Sequence, residues 1–195
     1  MKKDVIFVLT DGFADWESVF LSSLLMNGGF EGGEVKYNVK TLAFTKEPIV
    51  SFGGFTYLPD YDTLPVDYAA LILIGGLSWK SEKVKWVTKL IADALQKDIL
   101  IGAICDASLF LAMNGYLNNI KHTSNSLNDL KKYAPDYTGE RNYIEKQVIR
   151  DGKIVTANGT AYLEFAKEVL TYLEVGSIES NEKFYHFYKY GQYSI

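Results

Sequence analysis

Cysteine is nearly missing from this 195-residue chain: one stands at position 105, beside two histidines and four prolines. A single cysteine forms no internal disulfide. No His/Cys/Asp cluster has metal-ligand spacing, and neither G-x-G-x-x-G nor G-x-x-x-x-G-K-[ST] occurs, so no metal or cofactor is expected. A basic excess is also missing, since 20 Lys and Arg face 24 Asp and Glu for a net charge of -4. That leaves no electrostatic footprint for nucleic acid. No apolar run approaches the ~20 residues that span a bilayer. The run in MKKDVIFVLTDG, ended by Asp11, is too short for a secretion signal, so the cytoplasm is the expected compartment. No repeat, low-complexity tract or linker is seen, and the expected partner is a small-molecule substrate.

What is present is 48% hydrophobic and 23% charged, enough for one sizeable core, so a single domain over 1–195 is expected. Asp4 to Thr10 (VIFVL at its centre) and Ala69 to Ile74 (ALILI) are continuous apolar runs, the pattern of parallel strands covered on both faces. Ala14 to Asn27 has helical spacing and stops at Gly28-Gly29. Val35 to Phe44 reads as a strand, Glu47 to Leu58 as a small hairpin or bent strand at the sheet edge, and Ser81 to Gln96 as a helix. Lys121 to Asn125 is a short strand candidate, Ser126 to Tyr133 a helix, and Glu145 to Ala157 a hairpin around Asp151-Gly152. Thr160 to Glu174 is an amphipathic helix. Ile178 to Tyr190 is a last helix, inside an aromatic extension at 176–195. Strands alternating with helices predict an α/β layered fold with a mainly parallel central sheet, whose ligand site lies at the carboxyl ends of the strands.

Three segments converge at those ends. In Ile99 to Asn114, ILIGAICDASLFLAMN, a buried strand gives way to helix formers at one residue, which places Cys105 on a nucleophile elbow. Backbone N–H groups of the new helix favour negative charge there and so a thiolate, while the plainer reading is a small buried cysteine. Glu17, with Asp15 at the start of the first helix, is either a solvated first-turn acid or a carboxyl kept protonated in an apolar cleft that donates to a thiolate. Gly75 and Gly76 offer N–H groups for an oxyanion, or form a plain turn. Asp106 either raises the thiol pKa or caps the helix and points away; the cap is the favoured expectation. His122 either enters the cleft as a base or packs in the fold, and His186 is structural. Trp79, Asn125 and Asn158 are further pocket candidates, Trp79 being equally a packing aromatic.

Four motifs in order, VIFVLTDGFADWE, ALILIGG, GAICDAS with LAMNGYL, and VIRDGKIVTANGTAYLEFAKEVL, resemble the ThiJ/PfpI family of the class I glutamine amidotransferase-like superfamily. The resemblance spans Lys3 to Glu174. It implies a flavodoxin-like three-layer α/β/α sandwich, frequently a homodimer. It also implies Cys105 as the elbow cysteine, Glu17 as its hydrogen-bonding carboxyl partner, and the amides near Gly76 and Asp106 as the oxyanion pocket. The chain departs from the family in having Asp106 where many members carry histidine after the cysteine. Asn125 stands where a histidine is frequent, with His122 three residues earlier. Asn158, Gly159 and Thr160 stand where a His-x-Glu pair completes an amidotransferase triad. The expected function is amidotransferase-like, or action on a small reactive carbonyl or amide through Cys105 as a hydrolase or glyoxalase-type lyase, and not efficient peptide hydrolysis. The alternatives are a redox or stress sensor in which Cys105 is oxidised, and a dimeric binding module.

Overall fold

A computed structural model describes residues 2–191, so the last four residues of the expected aromatic extension, 192–195, lie outside the described residues. The two continuous apolar runs become the middle of one sheet. β1 (Lys3–Val8) and β5 (Ala70–Leu73) pair in parallel, with Val8 opposite Leu73, because each strand has both faces covered. β2 (Tyr37–Leu42) lies outside β1, while β6 (Leu100–Ile104), β8 (Ile154–Ala157) and β7 (Val148–Asp151) continue beyond β5. The order is β2-β1-β5-β6-β8-β7, parallel except where β7 returns against β8. That return is the predicted Asp151-Gly152 hairpin.

Helices cover both faces. α1 (Asp15–Asn27), α5 (Tyr162–Tyr172) and α6 (Ile178–Tyr190) share one core through Leu21, Leu25, Phe165, Val169 and Phe184. α2 (Val87–Gln96) and α3 (Asp106–Met113) share the other through Ile91, Phe110 and Leu111. The expected three-layer α/β/α sandwich with a mainly parallel sheet is what forms. No helix among the described residues is long and apolar enough to cross a membrane.

Three expectations on local structure change. Lys121 to Asn125 forms no strand; the segment has one isolated bridge, His122 to Tyr143, and the Thr123 N–H donates to the Thr156 side chain instead. β8 already has β6 and β7 as neighbours, so no ladder position remains for it. The Ser81 to Gln96 helix is broken: the Ser81 hydroxyl caps a tight 3-10 turn at Glu82–Val84, and α2 starts only at Val87. The Glu47 to Leu58 hairpin is real, β3 (Ile49–Val50) with β4 (Thr56–Tyr57), but it is a separate ribbon rather than a sheet edge. It is pinned over the β1–α1 loop by the Gly12 N–H donating to Val50, the Phe52 N–H to Phe13, and the Gly53 N–H to the Asp15 carboxylate at 2.8 Å.

Candidate active site

Cys105 ends β6 and begins α3. Its N–H donates to the Ala157 carbonyl of β8 at 3.0 Å, and its own carbonyl accepts from the Ser108 N–H at 3.0 Å and the Ser108 hydroxyl at 2.6 Å. Between those anchors the residue is forced to φ 59° and ψ -134°, a conformation that strains any side chain. This is the geometry of a nucleophile elbow, with the thiol half-buried above the sheet.

Glu17 reaches the same point from the first turn of α1, which the Ala14 N–H ties to the Gly75 carbonyl. Its side chain is 2% exposed, Oε2 accepts from the Gly75 N–H at 2.8 Å, and Oε1 is buried with no hydrogen-bond partner among the described residues. Burial pushes its carboxyl up to about 7, against the Gly75 N–H and the Cys105 thiol, which favour the ionised form. This burial overturns the reading of Glu17 as a solvated acid and puts its carboxyl in the cleft beside the thiol. Gly75 is what lets the two groups meet: a Cβ there would overlap both the Cys105 Cβ and Glu17 Oε2.

Three expectations are corrected at this site. The helix start does not bring the thiol below its ordinary value, because its effect is outweighed. Burial first, then the charge of Glu17, push the Cys105 thiol up to about 11, and the donors from Asn125 and the Asp106 N–H only partly offset them. Gly75 is not an oxyanion donor, because its N–H is spent on Glu17. Gly76, next in the chain, is the donor left: its N–H has no partner among the described residues, since the bridge to Phe13 runs through its neighbours. Asp106 caps nothing. Cys105 itself takes the N-cap position without a side-chain bond, and the Asp106 carboxylate accepts from the Asn125 amide at 3.0 Å and pairs with Lys80 at 2.6 Å.

Asn125 closes the outer side of the cleft. Its Nδ2 donates to the Cys105 sulfur at 3.4 Å as well as to Asp106, and its Oδ1 accepts from the Gly159 N–H at 2.9 Å. Gly159 escaped the sequence reading as a site residue. A Cβ on it would sit 2.9 Å from the sulfur, and the tight Asn-Gly-Thr turn after a strand was the available signal. Asn158, by contrast, turns its Oδ1 to the Thr160 N–H and hydroxyl, at 2.9 and 2.7 Å. It borders an open cavity of about 710 Å³ that continues from Asn125 along Thr123, Ser124, Tyr143 and Gln147.

Of the remaining candidates, Trp79 and His122 are packing residues and His186 is exposed. Trp79 is fully buried, donates its indole N–H to the Ile74 carbonyl at 2.8 Å and packs at a tilt against Phe110. His122 is fully buried between Tyr137 and Tyr143, its ring nitrogens 2.7 Å from the Ile120 carbonyl and the Tyr137 hydroxyl. Burial holds its pKa down. His186 lies on α6 among Tyr185 and Tyr190. Among the described residues no group of His, Cys, Asp and Glu could hold a metal ion.

A flavodoxin-like sheet carrying a strained cysteine between a strand and a helix, faced by a buried carboxyl, defines a class of cysteine-elbow α/β proteins. Within it, the chain belongs to the DJ-1/PfpI family, whose model matches residues 3–172. It is 38% identical over 197 residues to a Bacillus subtilis protein called uncharacterized protease YdeA, covering 98% of this chain and 93% of that one. It is 37% identical over 176 residues to uncharacterized protease YoaZ of the same organism, covering 88% of this chain and 84% of that one. Among solved structures, a thiJ/pfpI family protein from Bacillus anthracis superposes with a TM-score of 0.89 at 33% identity, covering 98% and 92% of the two chains. A DJ-1 superfamily protein, Atu0886 of Agrobacterium tumefaciens, gives 0.84 at 32% identity, covering 96% and 97%.

Proposed function

We propose that this protein is a cysteine-dependent enzyme in which Cys105 adds to the electrophilic carbon of a small reactive carbonyl or amide. The observation that carries this reading is the strained Cys105 set against a buried Glu17 whose carboxyl titrates at about 7. A group with that pKa is matched to exchange protons at neutral pH. The thiol begins protonated. As sulfur bonds to the carbonyl carbon, ionised Glu17 takes the thiol proton and the C=O π pair moves onto oxygen, where the Gly76 and Asp106 N–H groups hold it. Glu17 then gives the proton to that oxygen, making a hemithioacetal from an aldehyde. With an amide it gives the proton to the departing nitrogen, leaving a thioester that water opens.

Methylglyoxal and glutamine are the assay substrates, run beside Cys105→Ala. A methylglyoxal adduct on Cys105 seen by intact mass, or turnover of glutamine, that disappears in the variant is the expected result, and the same behaviour in both proteins overturns the reading. Two relatives carry the word protease in their names. With His122 enclosed by tyrosines, no imidazole base serves Cys105, so peptide cleavage is expected to be absent from a fluorogenic peptide assay. The redox alternative has less support, because peroxide attacks thiolates and the Cys105 thiol is pushed up.

We also propose a homodimer through α1 and the hairpin, where Trp16, Phe52 and Phe55 are 40, 55 and 65% exposed and Trp16 meets Phe52 edge to face at 5.7 Å. Replacing Trp16 and Phe52 together by serine should convert the dimer to a monomer in light scattering. A wild-type mass of one chain refutes the assembly.

A further inference from the structure

The charge nearest the sulfur on the solvent side is Asp106, and it does not stand alone. Its Oδ1 shares the Asn125 amide with the Cys105 sulfur, at 3.0 and 3.4 Å, so carboxylate and sulfur are coupled through one Nδ2. Its Oδ2 is held by Lys80 at 2.6 Å, in a pair whose side chains are 42% and 21% exposed. Lys80 arrives from the turn after β5 and lies over the ring of Tyr133, at the end of α4 (Leu127–Tyr133), 4.8 Å from its centroid.

We propose that Lys80 is a positioning residue for Cys105: by holding the Asp106 carboxylate at the rim, it limits the negative charge that the sulfur faces. The proposal rests on reading Cys105 as a reactive thiol. The charged groups around the pair come from each neighbouring element. Glu17 of α1 lies on the inner side of the sulfur, and Asp106 of α3 on the outer. Asp129 of α4 acts on Lys80, and Lys132 of α4 shares the Tyr133 ring at 4.7 Å. The turn between β8 and α5 contributes Gly159, which carries no charge. Two carboxyls thus flank one thiol, and among the described residues only Asp106 has a cation partner, Lys80. Without it, Asp106 opposes thiolate formation in full, and the Asn125 amide is drawn toward the unpaired carboxylate and away from sulfur.

The test follows alkylation of Cys105 by iodoacetamide from pH 6 to 12, a range that brackets the raised thiol, read by intact mass, with a thermal melt of each protein. Lys80→Met should react about threefold to tenfold more slowly at neutral pH, with its pH midpoint moved upward, since tenfold corresponds to one pKa unit. Asp106→Asn should react faster and shift downward. The double variant should follow Asp106→Asn, and Lys80→Arg should stay near the wild type. A Lys80→Met profile superimposed on the wild type overturns the proposal, as does a lowered melting temperature with an unmoved midpoint. A double variant as slow as Lys80→Met also overturns it, because Lys80 then acts on sulfur without Asp106. Wild-type Cys105 that takes up no label at any pH overturns both this proposal and the reading of the thiol as reactive.

Discussion

The inner and outer walls of the Cys105 cleft each present a carboxyl to the same sulfur, and they treat it in opposite ways. On the inner wall Glu17 is sealed beneath α1, given a single N–H, and driven by burial toward its neutral form. On the outer wall Asp106 is partly open to water, tied to an amide and matched by an ammonium group. Depth sets the difference: desolvation governs the Glu17 carboxyl where water is excluded, and hydrogen-bonding partners fix the position of Asp106 where water reaches. One wall is therefore suited to moving a proton, and the other to holding a fixed charge in place.

The most severe way to break this contrast is to fill the inner wall. Gly75→Ala would force Glu17 and Cys105 apart, and a stability loss of about 3 kcal/mol in urea melts, with alkylation of Cys105 disturbed, is expected. A smaller change tests the protonation itself. Glu17 titrates at about 7 in the folded chain against an ordinary 4.5, so the folded state keeps a proton that the unfolded state releases between those values. Its contribution is thus fully present below pH 4.5 and falls away as pH rises through 7, by about 3 kcal/mol. Glu17→Gln, which mimics the neutral carboxyl, should remove that decline between pH 5 and pH 8; a decline of the same size in the variant contradicts the burial argument. On the outer wall Asn125→Ala should cost no more than about 1 kcal/mol, because the site is open to water, yet slow alkylation of Cys105 several-fold. If it destabilises the fold as much as the inner-wall changes do, the two walls are not distinct.

The sheet was legible because its central strands are unbroken apolar runs, a pattern that only burial on both faces explains. The elbow was legible too, since apolar strand residues give way to helix formers at Cys105 itself. Glu17 could be named from its place in the first turn, but its protonation could not, for that depends on how deeply α1 settles beside Gly75. The thiol was misjudged for the same reason: the helix dipole is visible in sequence order, whereas the burial that outweighs it is a property of the packed site. Asp106 looked like a cap because capping is a local preference, and its partners Lys80 and Asn125 lie 26 and 19 positions away. Lys121 to Asn125, a short strand candidate, is denied that state because β8 already has a neighbour on each side.

The positive φ of Cys105 has a consequence for heredity as well as chemistry. Glycine relieves that strain and alanine does not, so Cys105→Gly should be more stable than Cys105→Ala by about 1 kcal/mol in matched melts. Folding alone thus favours erasing the thiol, and a lineage that no longer needed its reactivity would gain robustness by drifting to glycine at this codon. A cysteine at such a position holds the fold below the stability that glycine would give it.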